Sequence, residues 1–396
     1  MVSGRSQEIY GTTRSNPPDL SLAFYACSLL NEKLKIIEDY PMTTHIWLRA
    51  ESKPNERRVA VTPKDAARLI ADGFTITVEA SDQRAIPLAE YEAVGCASAA
   101  EGSWQSAPNE CFILGVKELP DENIELQHRH IYFGHVYKDQ PGWHQTLGRY
   151  RAGGGVLYDL ECLVDENNRR VAAFGYWAGF AGAATGVMAW CGQNRGDNPS
   201  LAKLGSFPNV DLLIEALKSA LTQCDEPPNM IVMGALGRSG RGAVKLANEL
   251  GLTVSKWDMA ETASGGPFPE LQQHNLFINC ILANEDCPQF ITNKDIANDD
   301  RVLSVIVDVS CDPESLYNPI PIYHRCTTFE EPVISLPIEG PRLDIIAIDH
   351  LPSMLPLESS QDYSHQLVQA LLTLDEPTKG VWGRALDQFN RHMRRI

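Results

Sequence analysis

The feature that most constrains the fold is a glycine-rich turn that directly follows a run of apolar residues. Asn229–Met233 is typical of a buried strand, Gly234–Gly240 (GALGRSG) follows it, and Ala243–Leu250 has the apolar spacing of a helix. A glycine turn between a strand and a helix lets the backbone approach a pyrophosphate and directs the helix N-terminus at it. This segment therefore predicts a dinucleotide-binding unit of the Rossmann type.

An acidic residue follows the next predicted strand, at a position that distinguishes between dinucleotide cofactors. A second predicted strand, Leu252–Trp257, ends on Asp258, where a carboxylate can bind the adenosine ribose hydroxyls and repel a 2′-phosphate. We therefore predict NAD as the cofactor. The alternative is an ordinary strand–helix turn with a surface aspartate, and Arg238 either faces a phosphate or is solvated. The predicted cofactor-binding residues in this region are Gly234, Gly237, Arg238, Ser239, Gly240 and Asp258.

The chain from Thr44 onward alternates short apolar runs with helical patterns, which is typical of parallel sheets. We predict an α/β protein with two Rossmann-like domains, mostly parallel sheets and an active-site cleft between them. The further predicted strands are His45–Leu48, Phe74–Glu79, Cys111–Val116 and Ile131–Val136, and the predicted helices include Pro63–Gly73 and Val381–Arg395.

The length of 396 residues suits two domains. Arg170–Trp190, rich in glycine, alanine and aromatic residues, predicts a tightly packed helix where the chain passes between them. Residues 1–41 are interpreted as a disordered or dispensable extension, and Met42 as an alternative start. The predicted domains are a substrate (catalytic) domain of residues 42–174 plus 352–396 and an NAD-binding domain of residues 175–351.

Composition narrows the classes of function. The formal net charge of −17 at pH 7 repels a phosphate backbone, so nucleic acid is not an expected partner. No apolar run reaches the roughly 18 residues that a membrane-spanning helix needs, so no membrane partner is expected. The 10 cysteines are scattered without zinc-site spacing. They predict no metal site and buried, reduced thiols in a cytoplasmic protein.

Ionisable side chains follow several predicted strands of the first half. Arg49 follows the first strand, Lys117 and Glu118 follow another, and His135 lies at the end of a third. Because the carboxyl ends of parallel strands meet at one edge of a sheet, we expect these side chains to converge on the cleft. Singly, each is more often a solvated or structural residue.

Several motifs together resemble the fungal-type, lysine-forming saccharopine dehydrogenases, whose two domains are similar to those of alanine dehydrogenase and transhydrogenase subunits. The likeness covers the chain after Met42. It rests on segments that include His45–Glu51 (HIWLRAE), Gly115–Pro120 (GVKELP), Phe133–Gln140 (FGHVYKDQ), Tyr158–Leu163 (YDLECL), Arg169–Gly186 and Ile348–Ser353 (IDHLPS).

The resemblance implies a reaction between lysine and 2-oxoglutarate on one side and saccharopine on the other, with NAD(H) carrying the hydride. It implies that Lys117 and His135 are the acid–base pair, that Glu118 and Glu161 tune them, and that Arg49 holds a substrate carboxylate. It also implies that Asp349 lies beside the nicotinamide.

The chemistry of this reaction agrees with these assignments. Three carboxylates on saccharopine require cationic clamps, which Arg49 with Arg169 or Arg170 can supply, and Lys138 is a further candidate for binding or tuning. The secondary amine must lose a proton before hydride leaves, and the imine must then be hydrolysed. We assign Lys117 to the amine and His135 to the water chemistry, with the reverse assignment open.

The sequence departs from the family at the glycine loop. Family members typically have a cysteine there that can pair with the residue matching Cys280, but this chain has Ser239 and should lack that disulfide. The C-terminus carries no peroxisomal tripeptide.

We expect a monomer or small homo-oligomer that binds an amino acid and a 2-oxo acid. The alternatives are a related opine-type or imine-reducing enzyme with another amine partner, an enzyme resembling alanine dehydrogenase, and a non-catalytic NAD-binding regulator.

Overall fold

The computed structural model describes residues 43–120, 122–138, 140–298 and 300–396. The predicted extension 1–41, the alternative start Met42 and Cys27 lie outside the described residues. Within these residues, no helix has the length and apolar character needed to cross a membrane, and no group of three or more His, Cys, Asp or Glu side chains is arranged to hold a metal ion.

The first of two sheets contains six parallel strands. They are β1 His45–Leu48, β2 Thr75–Glu79, β3 Ala97–Ala99, β4 Phe112–Leu114, β5 Arg129–Tyr132 and β6 Val156–Asp159. Their order is β3-β2-β1-β4-β5-β6, which places a switch in strand order between β1 and β4, where ligands of such sheets bind. The helices of this part are α1 Pro63–Ala71, α2 Leu88–Glu92 and α3 Trp143–Gly153, with 3-10 turns Ser103–Ser106 and Leu160–Cys162.

The second sheet also contains six strands. They are β7 Met230–Met233, β8 Val254–Trp257, β9 Leu276–Asn279, β10 Val305–Asp308, β11 Ile334–Ser335 and β12 Asp344–Ile346. Their order is β11-β12-β10-β9-β7-β8, and only the pairing of β11 with β12 is antiparallel. Every residue of β7, β9 and β10 is buried, as expected for parallel strands covered on both faces. The predicted α/β fold class is confirmed.

Seven helices of the described chain follow residue 174. They are α4 Gly175–Arg195, α5 Val210–Leu221, α6 Arg238–Glu249, α7 Met259–Thr262, α8 Asn293–Ile296, α9 Pro356–Leu371 and α10 Gly380–Met393, with 3-10 turns Pro269–Gln273 and Leu351–Met354. The helices α4 and α6 pack closely because glycine lines their contact. A Cβ added to Gly179 of α4 would lie 1.8 Å from the carbonyl oxygen of Ser239 in α6.

The hydrophobic packing joins the last two helices to the first sheet. Tyr363 of α9 and Trp382 of α10 belong to the same buried cluster as Leu48 and Phe112 of β1 and β4. The residues of α4 pack instead with β7, β9 and β10. We propose that the domain boundaries lie where the sequence predicts them, near residues 174 and 351.

Most predicted elements have somewhat different bounds in the structure, and for two of them a local contact or conformation explains the difference. The strand predicted at Ile131–Val136 ends at Tyr132, because His135 has a φ of +51°, which is incompatible with a strand. The helix predicted from Arg170 begins at Gly175, because Arg170 forms an isolated antiparallel bridge with Val164.

Candidate active site

A cavity of about 500 Å³ lies between the carboxyl edges of the two sheets. One wall carries ionisable side chains from the first sheet, and the other carries residues that follow strands of the second sheet. The wall residues include Arg58, Lys117, His135, Lys138, Glu161, Arg170, Ser239, Cys280, Ser310, Cys311, Asp312 and Asp349.

Lys117 follows β4, and two buried charged side chains hold its backbone. The carboxylate of Glu51 accepts hydrogen bonds from the backbone N–H groups of Val116 (2.6 Å) and Lys117 (3.0 Å). The guanidinium of Arg49 donates to the carbonyl of Lys117 and lies 3.4 Å from the Glu51 carboxylate. These contacts orient the strand end so that Lys117 lines the cavity.

Arg49 itself does not reach the cavity. Arg49 is 2% exposed, and its guanidinium occupies the space that the missing side chain of Gly115, directly after the neighbouring strand β4, leaves free. A Cβ at Gly115 would lie 2.5 Å from the Nε atom of Arg49. The structure places Arg49 behind the wall, where it braces Lys117. Its role in holding a substrate carboxylate stays a prediction.

His135 lies between two carboxylates. Its Nε2 atom is 3.8 Å from Oε1 of Glu118, and its Nδ1 atom is 3.9 Å from Oε2 of Glu161. The imidazole stacks on Phe133 with an interplanar angle of 20°. A proton on either ring nitrogen therefore faces a carboxylate, which is an arrangement suited to moving protons through the ring.

Glu161 is held in the ionised form by its neighbours. Burial raises its pKa, but the hydrogen bond of 2.8 Å from Lys138 and the positive charges of Lys138, Arg170 and His135 together hold the pKa of Glu161 below its ordinary value. The structure thus brings Lys138, Glu161 and His135 into one connected cluster.

Arg58 is a cavity residue that the sequence analysis missed. Its Nε and Nη2 atoms donate to the two carboxylate oxygens of Glu56 at 2.8 and 2.6 Å, and its guanidinium lies 4.4 Å from the ring centre of Phe174. Arg58 lies in the middle of the loop between β1 and α1, away from any strand end. A prediction based on strand ends therefore does not select it. The only local signal is the charged run Glu56-Arg57-Arg58.

The two candidate arginines that precede α4 differ in position. Arg170 lines the cavity, whereas Arg169 does not. The backbone N–H of Arg169 donates to the Asp165 carboxylate in an exposed turn. Of the two residues left open by the sequence, Arg170 is the one that lines the cavity.

The glycine loop forms a backbone cradle at the end of β7. Gly234 has a φ of +77°, and a Cβ there would lie 2.8 Å from the side chain of Ile281. A Cβ at Gly240 would lie 2.1 Å from the carbonyl oxygen of Gly234. Gly237 is the residue before α6, and Ser239 in the first turn of α6 lines the cavity. A loop with glycine at positions 234, 237 and 240, placed at a helix N-terminus, fits a pyrophosphate.

Asp258 is directed at this loop. Its Oδ2 atom accepts a hydrogen bond of 2.9 Å from the backbone N–H of Leu236, so the carboxylate stands at the loop from the end of the adjacent strand β8. Arg238 donates to the carbonyl of Arg170 at 2.8 Å and does not line the cavity. Arg238 therefore connects the glycine loop to the segment that carries Arg170.

Asp349 lies on the cavity wall after β12. Its carboxylate accepts a hydrogen bond of 2.7 Å from Nδ1 of His350. That bond, aided by the positive charge of Lys117, lowers the pKa of Asp349 to about 2 despite partial burial. The carboxylate is therefore ionised throughout the physiological range and adds a negative charge to the cavity wall, within electrostatic reach of Lys117 and His135.

The described cysteines are free thiols. Cys280 lines the cavity. Position 239 carries a serine, so these two positions cannot form a disulfide. The expectation that the thiols are buried is wrong for Cys326, which is exposed, and five others are only partly buried.

The fold and the cavity define a dehydrogenase of the Rossmann type, in which a nucleotide loop on one sheet faces ionisable side chains of the other. The model of the family "Alanine dehydrogenase/PNT, N-terminal domain" matches residues 47–181. Saccharopine dehydrogenase (NAD(+), L-lysine-forming) of Yarrowia lipolytica is 46% identical over 369 residues, which cover 90% of this chain and 99% of that protein. The enzyme of the same name from Candida albicans is 44% identical over 377 residues and 98% of its length, again 90% of this chain. The chain belongs to this family of saccharopine dehydrogenases.

Solved structures at lower identity share the fold. An L-alanine dehydrogenase superposes with a TM-score of 0.60 at 15% identity, over 87% of this chain and 94% of that chain. The transhydrogenase from Sinorhizobium meliloti superposes with a TM-score of 0.59 at 17% identity, over 86% of this chain and 97% of that chain. The predicted similarity to these two folds is confirmed.

Proposed function

We infer that the protein is an NAD-dependent oxidoreductase acting on a CH–NH donor, which cleaves saccharopine to L-lysine and 2-oxoglutarate and catalyses the reverse condensation. The observation that carries this inference is the cavity itself. In a chain of this family, it places Lys117, His135 and cationic side chains opposite the glycine loop.

The residues of the second sheet fit NAD. The cradle of Gly234 and Gly240 suits the pyrophosphate, and the carboxylate of Asp258 stands where it can bind the ribose hydroxyls. We propose that Asp349 lies beside the nicotinamide. When bound, NAD accepts the hydride that leaves the substrate carbon. The same carboxylate at position 258 would repel the 2′-phosphate of NADP.

Cationic side chains on the opposite wall suit a substrate with three carboxylates. We propose that Arg170 and Arg58 bind two of them. Arg170 can form paired hydrogen bonds with a carboxylate, and Arg58 can donate through the N–H groups that its pairing with Glu56 leaves over. Arg58 is held in place by Glu56 and by Phe174, so little side-chain freedom is lost when substrate binds. Lys138 remains engaged with Glu161 and tunes the cluster around His135.

Proton transfer is proposed for the two ionisable groups that the strands bring to the cavity. Lys117 takes the proton of the substrate secondary amine, so that the nitrogen lone pair can expel hydride from the neighbouring carbon. His135 then removes a proton from the water that attacks the imine carbon and returns a proton to the departing amine nitrogen. Glu118 and Glu161, at 3.8 and 3.9 Å from the two ring nitrogens, offset the charge that His135 acquires.

The test is NADH oxidation with 2-oxoglutarate and a panel of amines: lysine, ornithine and ammonia, each repeated with NADPH. We expect turnover with lysine, weak or no turnover with the other amines, and a preference for NADH. Turnover with ornithine or ammonia but not with lysine would assign the cavity to another imine-reducing reaction. No turnover with any amine, combined with NADH binding measured by fluorescence, would identify a regulator without catalytic activity.

A further inference from the structure

Two thiols meet at the edge of the cavity near Asp349. Cys311 lies just after β10 and lines the cavity, and Cys326 lies in an exposed loop before β11. Their Sγ atoms are 3.1 Å apart, and the Cys311 sulfur is also 3.0 Å from the carbonyl oxygen of Ala347. One thiol of the pair is thus open to solvent while the other forms part of the cavity wall.

We propose that Cys311 and Cys326 are an oxidation site that reacts with hydrogen peroxide to form an intramolecular disulfide, and that this disulfide weakens the binding of the dinucleotide cofactor. The site is separate from Cys280 and Ser239. It uses thiols that the proposed hydride-transfer reaction does not need.

The exposure of the two thiols sets the order of the reaction. Burial and the contact with Cys326 raise the pKa of the Cys311 thiol, so this group stays protonated and reacts poorly with an oxidant. Cys326 is accessible, and its thiolate attacks one oxygen of the peroxide, which breaks the O–O bond and yields a sulfenic acid and one water. The Cys311 sulfur then attacks the Cys326 sulfur, and its proton leaves with the hydroxyl group as a second water. Each sulfur is oxidised by one electron, and the peroxide is reduced by two.

The short contact favours this second step over further oxidation. A neighbouring thiol held at 3.1 Å acts at a far higher effective concentration than any thiol in solution. The disulfide needs a sulfur separation of about 2.0 Å, so the two atoms must approach by about 1 Å. The Cys311 sulfur then leaves the carbonyl of Ala347.

The movement is transmitted to the wall through the neighbours of Cys311. Ser310 and Asp312, on either side of it, both line the cavity. Cys311 has a φ of +51°, and Ser310 Oγ donates to the carbonyl of Ile281 at 2.5 Å, so this segment has little freedom to adjust locally. A displacement of about 1 Å at Cys311 therefore changes the shape of the cavity wall formed by the second sheet, to which the glycine loop also belongs.

The first test locates the bond. The full-length protein is treated with hydrogen peroxide, its remaining thiols are alkylated, and its peptides are mapped by mass spectrometry. We expect a peptide linked through Cys311 and Cys326 that dithiothreitol removes, and no such peptide in Cys326→Ser. The matched control is Cys224→Ser, which removes the thiol that interacts with Cys191 away from the cavity. This variant should still form the linked peptide.

The second test measures NADH binding by fluorescence and so does not depend on the amine substrate. Oxidation should weaken NADH binding by the wild-type protein and by Cys224→Ser at least about threefold, since displacements of about 1 Å are enough to disturb a binding site. Dithiothreitol should reverse the effect. Cys326→Ser should bind NADH as the reduced wild type does, before and after peroxide.

Two results would overturn the proposal. Trapping of Cys326 as a sulfenic acid without a linked peptide would show that Cys311 does not resolve it. An equal loss of NADH affinity in Cys326→Ser would assign the effect to another group. Because neither readout uses lysine or 2-oxoglutarate, failure here is distinguishable from failure of the proposed function.

Discussion

Replacing Asp159 by Asn removes a buried carboxylate that connects the segments carrying His135 and Glu161. Asp159 is 1% exposed, and its two oxygens accept hydrogen bonds from the backbone N–H groups of Gly134 (3.2 Å) and Glu161 (2.9 Å). Burial raises the pKa of Asp159 from 3.8 to about 7, although the two hydrogen bonds oppose the shift. The group therefore carries a proton in the folded protein under conditions where it is ionised in the unfolded chain.

The magnitude follows from this difference in pKa. About three pKa units at about 1.4 kcal/mol each correspond to about 4 kcal/mol. Because the folded-state pKa is raised, the stabilisation is fully present below about pH 4 and is lost as the pH rises to about 7. Between pH 5 and pH 8, ionisation of Asp159 should lower the free energy of unfolding of the wild-type protein by about 3 kcal/mol.

The assay is urea unfolding of the wild type and Asp159→Asn at several pH values. An amide offers one acceptor where the carboxylate offers two, so the variant should lose about 1 kcal/mol at every pH. The difference in unfolding free energy, variant minus wild type, should nevertheless rise by about 3 kcal/mol from pH 5 to pH 8. Asp165→Asn is the matched control. Backbone hydrogen bonds lower the pKa of Asp165, so its carboxylate is ionised in the folded and the unfolded chain from pH 5 to pH 8. The difference in unfolding free energy between Asp165→Asn and the wild type should therefore not change over this range. A difference for Asp159→Asn that does not change with pH would refute the reasoning.

Three further predictions concern the cavity. Lys117→Met and His135→Gln should each lower turnover at least about tenfold, as loss of a general acid or base does, while NADH still binds; unchanged turnover rejects the role. Arg170→Gln should raise the KM for 2-oxoglutarate at least about tenfold through loss of a charge-assisted hydrogen bond, whereas Arg169→Gln, outside the cavity, should leave it unchanged. Equal effects in the two variants would contradict this. Asp258→Ala should weaken NAD binding and narrow the preference over NADP in titrations; an unaltered preference places the ribose-binding acid elsewhere.

The sequence predicts those cavity residues that directly follow a strand. Lys117 and His135 can be located in advance because parallel strands deliver their following residues to one edge of the sheet. The same rule selects Arg49, which also follows a strand, but it does not reveal the direction of the side chain. The direction of the Arg49 side chain depends on Gly115, which directly follows the neighbouring strand β4 and leaves room for the guanidinium behind the wall. The contact between Arg49 and Gly115 can be recognised only from the structure, in which β1 pairs with β4.

Contacts between distant segments are the part that sequence patterns do not reveal. The loop that carries Arg58 is anchored by α9, since the backbone N–H groups of Val59 and Thr62 donate to the hydroxyls of Ser360 and Ser364. Three hundred or so residues separate these partners, and no periodicity connects them. By contrast, the glycine loop and Asp258 lie within one strand–helix–strand unit, where spacing alone is informative.

Carboxyl groups with raised pKa values often mark catalytic acids, and here burial raises the pKa values of Glu51 and Asp159. Neither side chain lines the cavity, and each accepts hydrogen bonds from backbone N–H groups at a strand end. Glu79 does the same at the end of β2, where its carboxylate accepts from the backbone of Ala50 and Trp104. Strand ends at this edge leave N–H groups that need partners, and a carboxylate can satisfy two at once. These acids therefore act as braces, and we propose that the groups they hold in position are the ones that meet the substrate.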